Sequence, residues 1–119
     1  MSAFIKGVPY SRAKSRGKIE AAHEWSDVVV EQTRHLPKVS QACLLKVTFL
    51  LPPDKFPADF PFGPDLDNLL KRFLDALGTT IFEKSQGGDS CILSLHALKA
   101  RVDSHDEAGA HLEVLPFRP

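Results

Sequence analysis

The 119-residue sequence lacks an excess of either charge, a long apolar run and more than two cysteines. Fifteen basic and fifteen acidic residues give a formal net charge of zero, so the protein is not a polycation, although a local basic face remains compatible with nucleic-acid binding. No apolar run reaches the roughly 18 residues that a transmembrane helix needs. The N-terminal segment MSAFIKGVPYSRAKSRGK has no apolar core of the kind that a signal peptide carries. The sequence therefore predicts no membrane partner.

The two cysteines, Cys43 and Cys91, lie in the apolar segments QACLLKVTFLL and SCILSLHAL. This placement predicts buried free thiols and a cytoplasmic protein. No CxxC or HxxxH pair indicates a zinc site. A composition of 43% hydrophobic and 25% charged residues is ordinary for a globular protein, and the length predicts one domain over residues 1–119.

Hydrophobic periodicity predicts two helices. The segment IEAAHEWSDVVVEQTRHL (residues 19–36) carries apolar residues at helical spacing, with Trp25 in the core, and Pro37 ends it. The segment PDLDNLLKRFLDALG (residues 64–78) repeats leucine and phenylalanine at i, i+3, i+4 and i+7, and Gly78 ends it.

Four apolar segments, AFIKGV, QACLLKVTFLL, SCILSLHALKARV and HLEVLPF, are predicted to be strands. The last two flank the turn segment DSHDEAGA, so we expect them to pair as a hairpin. His96, inside the third, is expected in the core rather than in a catalytic role. Two main helices and about four strands in a mixed sheet predict an α+β fold.

Two carboxylates, Asp65 and Asp67, stand where the second helix begins, and Lys71 follows four residues after Asp67. One interpretation is structural: an aspartate caps the helix, and Lys71 forms a surface ion pair with Asp67 or Asp75. The other is a metal site, because the positive end of a helix favours ionised acids and carboxylate oxygens suit Mg²⁺.

The order of these residues, DLDNLLKRFLDAL followed by GGD and the strand SCILSLHALK, resembles the RusA family of Holliday-junction resolvases over about residues 42–99. The resemblance implies a homodimeric, Mg²⁺-dependent endodeoxyribonuclease that resolves four-way DNA junctions by paired symmetric cuts in recombination and repair. It implies that Asp65, Asp67 and Asp89 bind the metal and that Lys71 is the catalytic lysine. Asn68 either orients an aspartate or a metal-bound water, or bonds locally in the first helical turn.

Several further residues are candidates for contacts with branched DNA. Basic side chains that would contact phosphates are Arg12, Lys14, Arg16, Lys18 and Lys99. Phe60 and Phe62, in a proline-rich loop, are candidates for a wedge that opens the junction. For the basic residues of the first loop, the alternative is a solvated segment without a DNA contact. For the two phenylalanines, the alternative is a hydrophobic loop packed on the core or at the dimer interface.

The sequence departs from the family pattern in two places that carry chemistry. Asp89 is preceded by Gly88 where family members often have a second acid, and ADFPFGP replaces the arginines that tend to precede the D-x-D-N motif. These departures favour an alternative hypothesis, a non-catalytic protein that binds junctions or other DNA on the same fold. A third hypothesis is a small interaction module whose acids are helix caps.

Overall fold

A computed structural model describes residues 1–10, 19–56 and 63–117, with the backbone alone for residues 19–22. Its elements are β1 (Ser2–Lys6), α1 (Ile19–Thr33), β2 (Cys43–Leu51), α2 (Leu66–Leu77), β3 (Ile92–Arg101) and β4 (Gly109–Pro116), with single 3-10 turns at Gly88–Cys91 and His105–Glu107. The two predicted helices, the four predicted strands and the α+β class are confirmed. Within the described ranges, no helix has the length and apolar character needed to cross a membrane.

The four strands form one mixed sheet in the order β1-β4-β2-β3. β2 and β3 are parallel and are joined through α2, whereas β4 is antiparallel to both β1 and β2. The predicted β3–β4 hairpin is therefore wrong, because β4 lies on the other side of β2. The connection to β4 crosses the end of β2, where Val102 N–H donates to the Leu51 carbonyl at 2.9 Å and His105 Nε2 lies 2.9 Å from Asp54 Oδ1.

Both helices contribute to a core on one face of the sheet. Alternate residues of β2 from Cys43 to Leu51 are buried, as the period of a half-covered strand requires. The rings of Phe49 and Phe73 meet edge to face at 5.5 Å between centroids, both fully buried. Trp25 is 2% exposed, so its predicted place in the core is confirmed.

The opposite face of the sheet presents exposed side chains of all four strands. We call it the open face, and we define it by Phe4, Lys46, Leu98, Glu113 and Leu115. Phe4, Leu98 and Leu115 are 44–47% exposed. Lys46 and Glu113 are register partners on the two central strands. The open face therefore carries apolar side chains on three strands and, between them, a pair of opposite charges with other polar side chains.

His96 is exposed, so the prediction that it belongs to the core is wrong. It pairs with Lys46 in register and shares that residue's side of the sheet. Because β3 is an edge strand with one neighbour, its residues are less covered than the apolar sequence around His96 suggested.

Candidate functional site

The start of α2 presents two carboxylates to solvent. Asp65 is the residue before the helix, in an extended conformation (φ −63°, ψ 133°), and its carboxylate makes no capping hydrogen bond. Its backbone carbonyl accepts the first helical bond from Leu69 N–H at 3.1 Å, while Asn68 Nδ2 donates to Asp65 Oδ2 at 3.5 Å. Asp67 lies in the first turn and is also exposed. Both acids lie at the positive end of the helix, and Asp65 does not serve as a side-chain cap.

Lys71 lies one helical turn beyond Asp67 and is exposed. Among the residues that the structure describes, no carboxylate lies within 4.0 Å of its ammonium, so neither predicted ion pair, with Asp67 or with Asp75, is formed. The interpretation of these charges as ordinary surface pairs therefore finds no support in the described contacts.

Lys71 contributes to a groove of about 450 Å³ between α1 and α2. The lining residues are Ser26, Val30, Asn68, Lys71, Arg72, Asp75, Ala76 and Thr79. Arg72 Nη1 donates to Ser26 Oγ across the groove at 3.2 Å. The groove thus holds two cationic side chains, one acid and several neutral hydrogen-bonding groups, a lining that suits a phosphodiester oxygen better than a cation.

Lys99 connects the far end of β3 to the segment that carries the acids. Its Nζ donates to the Pro64 carbonyl at 2.7 Å and lies 5.4 Å from the centroid of the Phe56 ring. Pro64 directly precedes Asp65, so this half-buried lysine helps to fix the residue from which α2 starts. Its contact with DNA stays a prediction.

Asp89 lies at the opposite end of the sheet from Asp65 and Asp67. It belongs to the 3-10 turn that leads into β3, whereas Lys99, which contacts the start of α2, lies near the other end of that strand. The strand from Ile92 to Lys99 is roughly 20 Å long at about 3.3 Å per residue. Carboxylates that share one ion lie a few ångströms apart. The structure therefore places Asp65, Asp67 and Lys71 at the start of α2, and Asp89 at the other end of the sheet.

The arrangement of metal-ligating side chains agrees with this separation. Over residues 1–10, 19–56 and 63–117, no group of three or more histidine, cysteine, aspartate or glutamate side chains is arranged to hold a metal ion. The three acids that the resemblance assigns to one site do not form a ready three-carboxylate cluster within one chain.

Several predicted contacts lie outside the described residues: Arg12, Lys14, Arg16, Lys18, Phe60 and Phe62. The groove adds two residues that the sequence did not single out, Arg72 and Ser26. Arg72 follows Lys71 directly, and these two adjacent cations in a predicted helix could have indicated that Arg72 belongs to the site. Ser26 lines the groove because α1 packs against α2, and no pattern in the sequence indicated that packing.

The comparison of the chain with models of known protein families gives no match, and no curated protein matches it significantly. The resemblance to RusA resolvases is thus carried by the motif residues and their order.

Proposed function

We propose that this protein is a Mg²⁺-dependent, structure-selective endodeoxyribonuclease that resolves four-way DNA junctions by paired symmetric cuts. The observation that carries the proposal is the start of α2, where Asp65 and Asp67 are exposed at the positive end of the helix and Lys71, one turn on, has no ion-pair partner among the described residues. These residues stand in the order of the RusA motif. A cytoplasmic setting belongs to the proposal, because both cysteines are free thiols.

The donor set at this site fits magnesium in its chemistry. Mg²⁺ takes oxygen ligands and is often held by one or two carboxylates together with water and substrate phosphate, so Asp65 and Asp67 suffice to anchor it. When bound, the ion supplies a polarised scissile phosphate and a more acidic water. Asn68 restrains the carboxylate of Asp65. Lys71 stabilises the negative charge that gathers on the phosphate oxygens.

The proposed homodimer follows from the symmetry of the substrate. Two cuts on opposite strands of a four-way junction need two sites related by a two-fold axis. Since a strand of roughly 20 Å separates Asp89 from the end of the sheet where Asp65 and Asp67 lie, we infer that it reaches a site at these two acids only from a second subunit. A two-fold axis that reverses the strand direction brings such opposite ends of two subunits to the same side.

The open face is the surface that we propose for the homodimer. It combines the exposed side chains of Phe4, Leu98 and Leu115 with a central register pair, Lys46 and Glu113. A two-fold axis packs this same surface of both copies together, with the Lys46–Glu113 pair of each copy near the centre of the interface. Exposed large apolar side chains on a sheet face are candidates for burial at such an interface.

Replacing Leu98 with aspartate tests this surface by light scattering after size-exclusion chromatography. We expect the wild type to elute as a dimer and Leu98→Asp as a monomer. Leu95→Asp is the matched control, because Leu95 is similarly exposed on the same strand but pairs with buried Leu45 and so faces the other side. A monomeric wild type, or equal dissociation in both variants, would contradict the proposed surface.

Cleavage of a labelled synthetic four-way junction tests the function. We expect paired, symmetric nicks with Mg²⁺, none with EDTA, none on linear duplex and none from Asp67→Asn. Asp106→Asn, which changes an exposed acid on the turn between β3 and β4, is the matched control and should keep activity. Tight, salt-sensitive junction binding without cleavage would instead make the protein a non-catalytic DNA-binding protein, and the absence of both would leave the acids as features of a small interaction module.

A further inference from the structure

The two cysteines meet at one end of the sheet, although 47 residues separate them in the sequence. Cys43 is the first residue of β2, and its register partner on β3 is Ile92, the residue after Cys91. Cys91 packs against the hydrophobic cluster that contains Cys43, and its Sγ lies 3.7 Å from the Gly88 carbonyl. Both are free. The proposed nuclease site uses neither thiol.

The two thiols differ in their access to solvent. Cys43 is 2% exposed, whereas Cys91 is half-buried at the edge of the same hydrophobic cluster. Burial, and secondarily the neighbouring Cys91, raise the pKa of Cys43 to about 11. A small oxidant in solution therefore meets Cys91 first, and Cys43 stands behind it as the only thiol within reach among the described residues.

We propose that Cys43 and Cys91 form a redox site that closes to an intramolecular disulfide when the protein meets a small disulfide oxidant such as oxidised glutathione. The Cys91 thiolate attacks one sulfur of the oxidant, which releases one glutathione thiolate and leaves a mixed disulfide. The Cys43 thiol then gives its proton to solvent and attacks the Cys91 sulfur, which releases the second glutathione. Two protein thiols lose two protons and two electrons, and one glutathione disulfide becomes two thiols.

The closed disulfide joins β2 to the turn that precedes β3 and encloses α2 in a covalent loop. That turn, Gly88–Cys91, carries Asp89, and it follows Gly87, whose φ of +82° marks a tight backbone reversal. The bond therefore attaches the last residue of the Asp89 turn to a central strand of the sheet. An effect of oxidation on junction cleavage rests on the proposed function, but formation of the disulfide does not.

Intact-mass analysis of the native full-length protein after incubation with oxidised glutathione tests the proposal. We expect the wild type to lose two hydrogens and to yield one cross-linked Cys43–Cys91 peptide on digestion. Cys43→Ala should stop at one glutathione adduct on Cys91, because no second thiol resolves it. A wild type that stops at this adduct, forms disulfides only between chains, or keeps both thiols reduced would overturn the proposal.

A second measurement compares the two redox states of the wild type. The oxidised wild type should melt at a higher temperature than the reduced protein, and dithiothreitol should reverse the shift, whereas Cys91→Ser should not respond to the oxidant. An unchanged melting temperature in a sample whose disulfide is confirmed by peptide mapping would show that the turn is not constrained by the bond. Loss of all junction cleavage in both redox states would count against the nuclease proposal alone.

Discussion

Replacing Lys99 with methionine distinguishes a lysine that positions the site from one that contacts DNA. The side chain leaves β3, donates to the Pro64 carbonyl at 2.7 Å and lies 5.4 Å from the centre of the Phe56 ring. Methionine keeps the aliphatic stem in place and removes the ammonium. Because Pro64 is bonded directly to Asp65, we expect the substitution to loosen the segment that sets the first carboxylate.

The size of the effect follows from the two contacts. A hydrogen bond from a charged donor contributes about 1.5–3 kcal/mol, and a half-exposed cation–π contact about 0.5–1 kcal/mol. Methionine no longer has to desolvate a charge, which offsets part of this loss. We therefore expect Lys99→Met to lower the free energy of unfolding by about 1–3 kcal/mol, or roughly 4–12 °C in Tm for a domain of this size.

The assay combines melting, junction cleavage and the salt dependence of junction binding. We expect cleavage to fall about ten- to a hundredfold, since small displacements of a catalytic group are costly, while the slope of log K against log salt stays unchanged. Lys84→Met is the control, since Lys84 is exposed and has no ion-pair or hydrogen-bond partner among the described residues. An unchanged Tm with a slope smaller by about one would refute the positioning role and identify Lys99 as a phosphate contact.

Three further outcomes follow from the same structure. Asp67→Asn and Asp89→Asn should each lack cleavage alone, but an equimolar mixture should regain nicking, because a mixed dimer keeps one intact site if Asp89 acts across subunits; failure to regain it would contradict that arrangement. Phe73→Ala should lower the free energy of unfolding in denaturant by about 3–5 kcal/mol, since the ring is fully buried against Phe49, and a loss below about 1 kcal/mol would contradict the packing. Burial raises the pKa of Cys43 from 9.0 to about 11, so the unfolded chain loses this proton first as the pH rises, and stability should fall between about pH 9 and pH 11 by up to about 2–3 kcal/mol. Cys43→Ala should remove that part of the fall, and an identical alkaline profile for both proteins would contradict it.

The sequence predicted the elements of this fold because their signals are local. The repeat that buries Leu69, Phe73 and Leu77 is set within one helix, and Gly78 follows its last residue. The alternation of β2 likewise needs only its own nine residues. The position of Asp65, Asp67 and Lys71 at the start of α2 was predictable for the same reason, since the start of the helix and their spacing in sequence decide it.

The parts that failed depend on which strands become neighbours. The expected β3–β4 hairpin was reasonable for two strands joined by a short turn segment, but β4 pairs with β1 and β2. Whether His96 is buried depends on β3 being an edge strand, which its own apolar sequence does not reveal. Strand order is set by pairing between segments that are far apart in the sequence. The partners of β4 and the exposure of His96 therefore cannot be deduced from the β4 or the β3 segment alone.

The parallel crossover from β2 through α2 to β3 has one consequence for the candidate site. It returns the chain to the end of the sheet where β2 began, so a residue just before β3, such as Asp89, lies opposite the start of α2. The far end of β3 comes back to that start, and Lys99 meets Pro64 there. A motif that is continuous in sequence is thus divided between two ends of one subunit. In the proposed homodimer, a two-fold axis that reverses the strands brings Asp89 of one subunit to the same end as Asp65 and Asp67 of the other, so a variant that remains folded but monomeric should lose cleavage without losing Asp65, Asp67 or Lys71.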